Sequence, residues 1–136
     1  MLSAKEVQRI IYRGLPAAEE QGLTVELVAS NRARVRCPFR PSMIRPGGTV
    51  SGPTMMGLAD SAMYAAILGQ LGGREMAVTQ NLNINFLSKP GPVDLVAEAE
   101  IIRLGRRSAV MEVRLYSDGS DEMVAHVTGI YAIPVR

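Results

Sequence analysis

The stretch that most limits what this chain can fold into runs from residue 54 to about residue 71. It reads as one long helix, apolar on almost every side: Met55, Met56, Leu58, Ala59, Ala62, Met63, Ala65 and Ala66 leave no wide polar face. Such a helix belongs at the centre of a domain, so the rest of the chain must wrap around it. Gly72-Gly73 supplies its stop. One residue breaks the pattern. Asp60 places a carboxylate in this run, and a carboxylate is costly to bury unless something compensates for it.

The wrapping material is β-structure. Leu82, Ile84 and Phe86 alternate with Asn81, Asn83 and Asn85; Leu95, Ala97, Ala99 and Ile101 alternate with Glu98 and Glu100. Val113 and Leu115 alternate with Glu112 and Arg114, and Met123, Ala125 and Val127 alternate with His126 and Thr128. Period two over four successive segments predicts a meandering antiparallel sheet, broken at Lys89-Pro90-Gly91-Pro92, Gly105-Arg106 and Ser117-Asp118-Gly119-Ser120. Upstream, Ser3-Ala4-Lys5-Glu6 is a capping-box pattern and opens a short amphipathic helix over 4–13, which Gly14 and Pro16 end. Residues 23–28 and 33–37 read as a hairpin turning at Ser30-Asn31-Arg32, and the Pro- and Gly-rich residues 38–53 as loop. The expectation is a single α+β domain over 1–136: a short N-terminal helix and an antiparallel sheet of about six strands around one long central helix. A helix buried on every side and long strands also call for a second subunit over one edge or face.

Composition excludes several classes. The formal net charge of +2 leaves no basic surface for nucleic acid; Arg103, Arg106 and Arg107 form the nearest thing to a local anion site. The single cysteine, Cys37, cannot make an internal disulfide and fits a reducing cytoplasm. The single histidine, His126, lies in a distant strand, which argues against a Cys–His nucleophile, a Ser-His-Asp triad and a metal site. Residues 1–13 lack the apolar stretch of a secretory leader, and the longest apolar run, 62–68, is too short to span a membrane.

Three segments together resemble a known family: "RPGGTVSGPTMMGLADSAMYAAI", "AVTQNLNINFLSKPG" and "AEAEIIRLGRRSAVMEVRLYSDGSDEMVAHVTGIY". They are similar to the hotdog-fold thioesterases, closest to the phenylacetic-acid-degradation type within the 4-hydroxybenzoyl-CoA thioesterase superfamily. In that branch the loop before the helix usually reads Asn-Pro-x-Gly-x-x-His-Gly-Gly, and an acid follows eight residues after the first Gly of the pair. Pro46, Gly48 and Gly52 match, and Asp60 falls on the acid. Arg45 stands where Asn is usual, Ser51 where His is usual and Pro53 where the second Gly is usual. The resemblance implies an acyl-CoA substrate, thioester hydrolysis without a metal or separate cofactor, and a homodimer or dimer of dimers.

The residues can be read against that chemistry. Asp60 can act as general base or nucleophile; alternatively it is a buried Asp held by Ser61 or a neighbouring strand. Gly52, at the helix start, offers backbone N–H groups and the positive dipole end to an oxyanion, or is simply a helix start. Ser51 can hydrogen-bond but cannot do histidine's acid–base work at neutral pH. Ser61 and Tyr64 can orient a water or Asp60, or fill a subunit interface. Asn81 and Asn83, on what should be a central strand, can line the pantetheine tunnel or satisfy backbone groups across subunits. Arg106 and Arg107, with Arg103 and Lys89, are candidates for the CoA phosphates or else solvated turn charges.

Gly52 and Asp60 cannot serve one thioester from one helix. Asp60 follows Gly52 by eight residues, roughly 12 Å along a helix axis. An oxyanion donor and an attacking group must both lie about 3 Å from the same carbonyl. Two antiparallel copies of the helix, related by a two-fold axis, remove the conflict and predict composite sites. The rival expectation is an acyl-CoA-binding or structural protein with weak or no hydrolysis, because Ser51 takes the place of His.

Overall fold

A computed structural model describes residues 1–73 and 75–134. The capping box forms as read: Ser3 N donates to Glu6 Oε1 at 3.0 Å and Glu6 N to Ser3 Oγ at 3.2 Å, opening α1 (Ala4–Gly14). Val7 and Ile11 are its buried face. Pro16 does not simply end this helix. It starts a second, α2 (Pro16–Gln21), because proline's fixed φ and missing N–H suit a first helical turn. Gly22, at φ 73°, closes it in the left-handed region.

The hairpin follows as β1 (Thr24–Ala29) and β2 (Arg32–Cys37), turning at Asn31 with φ 59°. Residues 38–53 are not all loop. A 3-10 turn (Pro41–Met43) leads into a two-residue strand pair, β3 (Ile44–Arg45) and β4 (Thr49–Val50). Then comes α3 (Gly52–Leu71), two residues longer at its start than the apolar pattern indicates, with Gly72 at φ 69° as its C-cap. Four strands complete the chain: β5 (Val78–Phe86), β6 (Leu95–Leu104), β7 (Ser108–Ser117) and β8 (Met123–Ala132).

All six long strands pair antiparallel in the order β1-β2-β6-β7-β8-β5. The expected four-strand meander is therefore corrected. Only β6, β7 and β8 meander, and β5 crosses to pair with β8. The hairpin β1–β2 takes the flank of β6 instead. Within the chain β5 is an edge strand, not a central one, and its residues are exposed apart from the half-buried Leu82 and Ile84.

The sheet curves over α3. Small side chains on both sides, Ala59, Ala62 and Ala66 on the helix and Ala33, Ala97, Ala99 and Ala125 on the sheet, are all buried at the contact. Gly69 and Gly129 bring backbone closer still: an added Cβ would run into the Val28 side chain at Gly69 and lie 2.6 Å from Met63 Sδ at Gly129. The other sheet face is polar. Arg34, Glu98, Arg114 and His126 stand opposite one another across four strands, and Arg36 binds Glu26, Asp94 and Asp118.

The burial of α3 is not complete on every side. Pro53, Met56 and Gly57 are exposed, and Asp60, Ser61 and Tyr64 are half-buried, forming one open stripe down the helix. That stripe and the unpaired edge of β5 are two surfaces the single chain leaves unfinished; β1 forms the sheet's other edge. No described helix is long and apolar enough to cross a membrane.

Candidate active site

Asp60 sits in the open stripe of α3, so its carboxylate is not stranded in the core. It lines a cleft of about 500 Å³ together with Ile10, Arg13, Leu15, Ser61, Tyr64, Met76, Val78, Thr79 and Tyr131, among others. Two strands hold it. Thr79 Oγ1, from β5, donates a short hydrogen bond to Asp60 Oδ1, and Tyr131 OH, from β8, reaches the same oxygen at 2.9 Å and the Asp60 carbonyl at 3.1 Å. No described residue donates to Oδ2. Of the two structural partners expected for Asp60, the neighbouring strands are the ones found. Ser61 lines the cleft beside it but makes no hydrogen bond to it.

Thr79 reaches the helix because β5 is bulged. Leu82 and Ile84 face the core, and strict alternation would turn Gln80 inward and Thr79 outward. The register slips between Thr79 and Asn81, so Gln80 is the extra residue and Thr79 pairs with the buried Tyr131. Tyr131 shares the inward parity of Ala125, Val127 and Gly129. Extending that alternation to the end of the strand exposes the signal in the sequence: a buried tyrosine must bring its hydroxyl to a partner. The ring stacks on Tyr64, centroids 6.3 Å apart and planes 18° from parallel, while Tyr64 OH is anchored on the Glu75 carbonyl at 2.8 Å. Burial first, and then the Asp60 carboxylate, push the Tyr131 hydroxyl far above the usual phenol range, so it stays a neutral donor. Burial raises Tyr64 as well.

Gly52 begins α3, about two turns before Asp60, and lies in another cleft, about 230 Å³, with Arg45, Thr49, Val50, Met55, Phe86, Ser88, Lys89 and Pro90. The Phe86 ring covers it so closely that an added Cβ would stand 3.1 Å from Cζ. The Asp60 cleft takes in Val78 and Thr79 at the start of β5 and the Gly52 cleft takes in Phe86 at its end, roughly 20 Å apart along a strand. No described residue lines both.

Ser51 is the N-cap of α3. Its Oγ accepts from Thr54 N at 3.4 Å and lies 2.8 Å from Thr54 Oγ1, and Ser51 lines neither cleft. Pro53 falls in the first turn, where a missing N–H costs the helix nothing. Asn81 and Asn83 are exposed on β5 and bond to each other, Nδ2 to Oδ1 at 2.9 Å. Arg106 and Arg107 are exposed in the β6–β7 turn and line neither cleft. The Arg107 carbonyl accepts from Ile133 N, which puts that turn at the Asp60 end of the sheet. His126 faces outward and bonds Glu112 at 2.9 Å, while Cys37 is buried on the inner face, so neither joins a nucleophilic pair. Among the described residues, no group of three or more His, Cys, Asp or Glu could hold a metal ion.

Three comparisons place this arrangement. A candidate thioesterase of a Silicibacter species superposes with a TM-score of 0.89 at 34% identity, covering 98% of this chain and 93% of that one. The Escherichia coli PaaI protein of the phenylacetic acid degradation operon shares the fold, with a TM-score of 0.85 at 20% identity over 96% and 93% of the two chains. A candidate esterase of Saccharolobus solfataricus is 28% identical over 98% of this chain and 87% of its own length. The fold is therefore the hotdog fold, with the sheet wrapped around α3 as the resemblance implies. The thioesterase-superfamily model matches residues 47–124, from the loop before α3 through β7, and this chain belongs to that superfamily as a thioester hydrolase.

Proposed function

We propose that the substrate is an acyl-CoA thioester, cleaved to a free acid and CoA, with Asp60 as general base or nucleophile and the Gly52 backbone N–H as oxyanion donor. The observation that carries this reading is the Asp60 carboxylate at the cleft, with one oxygen held by two donors and the other without a described partner. In the general-base form, Oδ2 takes a proton from water and the hydroxide adds to the thioester carbon. Donors at the start of α3 stabilise the oxyanion; the C–S bond then breaks, and the proton held on Oδ2 passes to the departing thiolate, which restores the carboxylate. No cofactor enters beyond the CoA of the substrate, and a reducing cytoplasm suits the free thiol of Cys37.

The separation of the two clefts supports a composite site in a homodimer or dimer of dimers, with Gly52 from one subunit facing Asp60 of its partner. The open α3 stripe and the β5 edge are the surfaces such a partner would cover. Asn81 and Asn83 then fall at the subunit boundary, and Lys89, Arg106 and Arg107 are the cations offered to the CoA phosphates. A screen of acyl-CoA esters of varied length and aromatic character, run on wild type and Asp60→Asn, tests the proposal. Turnover should fall roughly 10²- to 10⁴-fold in Asp60→Asn, with binding retained.

One observation favours a second reading. The Ser51 hydroxyl is engaged in capping α3, so nothing at that position supplies acid–base help. A wild-type protein that binds acyl-CoA without turning it over would make this a binding member of the superfamily.

A further inference from the structure

We propose that Tyr131 is a positioning residue for the reaction: its buried hydroxyl pins one oxygen of Asp60 so that the other is presented in a single orientation. This rests on the reading of Asp60 as the reacting carboxylate. An aspartate carboxyl rotates over a broad, two-fold torsional well, so nothing local to α3 decides which oxygen faces the substrate. Two donors on Oδ1 decide it. They are not equivalent. Thr79 is exposed, and its hydroxyl can rotate to suit any neighbour. Tyr131 is 2 % exposed, is a ladder partner of Thr79, and is backed by the Tyr64 ring, whose own hydroxyl is tied to Glu75. The chain of contact runs from the Glu75 carbonyl through two stacked rings to the carboxylate. The Tyr131 hydroxyl also lies 3.1 Å from the Asp60 carbonyl, so its one hydrogen is shared between the carboxylate and the helix backbone that carries it.

Tyr131 transfers no proton in this scheme. Held neutral by its surroundings, it remains a donor to Oδ1 while the proton from water goes to Oδ2. Its donation orients the base and leaves Oδ2 to receive the proton.

Tyr131→Phe removes only the hydroxyl and keeps the ring that stacks on Tyr64. Its melting temperature and oligomeric state, compared with wild type, show that it folds. In steady-state hydrolysis of the best acyl-CoA found, kcat should fall roughly 10- to 100-fold, as expected for losing a hydrogen bond to a charged group, with KM changed less than about twofold. The acid limb of the kcat–pH profile should be displaced upward, since the carboxylate loses a donor. A ¹³C carboxyl NMR titration of Asp60 should show the same upward move without reliance on turnover. Two outcomes overturn the proposal: a folded Tyr131→Phe enzyme with unchanged kcat and pH profile, or a fall in kcat with neither the profile nor the NMR titration displaced, which is what a merely structural tyrosine would give. Failure of the underlying reading is distinguishable, because Asp60→Asn would then keep its turnover.

Discussion

The start of α3, at Gly52, and its middle, at Asp60, are built by different means. Around Asp60, side chains from β5 and β8 converge on one carboxylate, and the end of α1 and the segment before β5 wall the cleft. Around Gly52 no carboxylate, histidine or cysteine lines the cleft among the described residues: a Ser cap, a proline and a glycine under the Phe86 ring sit beside the short strands β3 and β4, with the cations Arg45 and Lys89 at the cleft. The contrast follows from what each site has to offer. A carboxylate is a flexible group, so orienting it takes donors from elsewhere in the fold. An oxyanion donor is backbone, already oriented by the helix it begins, and needs only close access, which glycine allows. The two sites are complementary halves, and a single chain keeps them apart.

The largest effect should come from recombining those halves. Asp60→Asn and Gly52→Val homodimers should each be nearly inactive. Verified heterodimers of the two should recover about half the wild-type rate, since one of two symmetry-related sites then carries Gly52 and Asp60 intact. If the heterodimers stay inactive while both chains are folded and dimeric, Gly52 and Asp60 do not meet across subunits.

Glycine-to-alanine changes at each end sharpen the contrast. Gly52→Ala meets the far end of an exposed Phe86 ring, which can swing away, so stability should change by less than about 0.5 kcal/mol. The displaced ring should nevertheless lower kcat roughly tenfold or more. Gly69→Ala meets Val28 in the core. It should destabilise by about 1–3 kcal/mol in denaturant titration, in part offset by alanine's better helix propensity, and leave kcat unchanged. Equal losses of activity from the two folded variants would erase the distinction between a reacting end and a packing end.

The smallest effect belongs to the exposed turn at the Asp60 end. Arg106→Ala and Arg107→Ala should each raise KM for acyl-CoA roughly two- to fivefold at low ionic strength, and less as salt screens the interaction. A salt-independent KM, unmoved by either change, would take both arginines out of the site.

Asp60 and Gly52 were legible in the sequence because each is an anomaly against a strong local pattern: a charge in an apolar helix, and a glycine where a helix begins. Tyr131 and Thr79 were not singled out, for two different reasons. Tyr131 lies on the inward parity of β8, so its burial was available to a reader who carried the alternation to the end of the strand. Thr79 was hidden by a real exception. The bulge at Gln80 reverses the side-chain parity set by Leu82 and Ile84, and no residue type in "VTQNLN" announces it. Ser51 was read as the altered site residue; its capping role, visible in Ser-x-x-Thr before an apolar run, is what the structure assigns to it.

By itself the sequence determined α1, the six long strands, most of their buried faces and the central place of α3, because those follow from periodicity and burial, which act over a few residues at a time; α2, the short β3–β4 pair and the parity of Thr79 did not follow from it. Only the tertiary structure decided that β5 crosses to β8, that the hairpin flanks β6, and that one stripe of α3 stays open. An alternating strand is equally content beside any strand of matching polarity, so its partner is chosen by the global packing of sheet on helix. That choice sets β5 next to β8, Thr79 next to Tyr131, and both against Asp60, a meeting of residues 71 positions apart that no local pattern encodes.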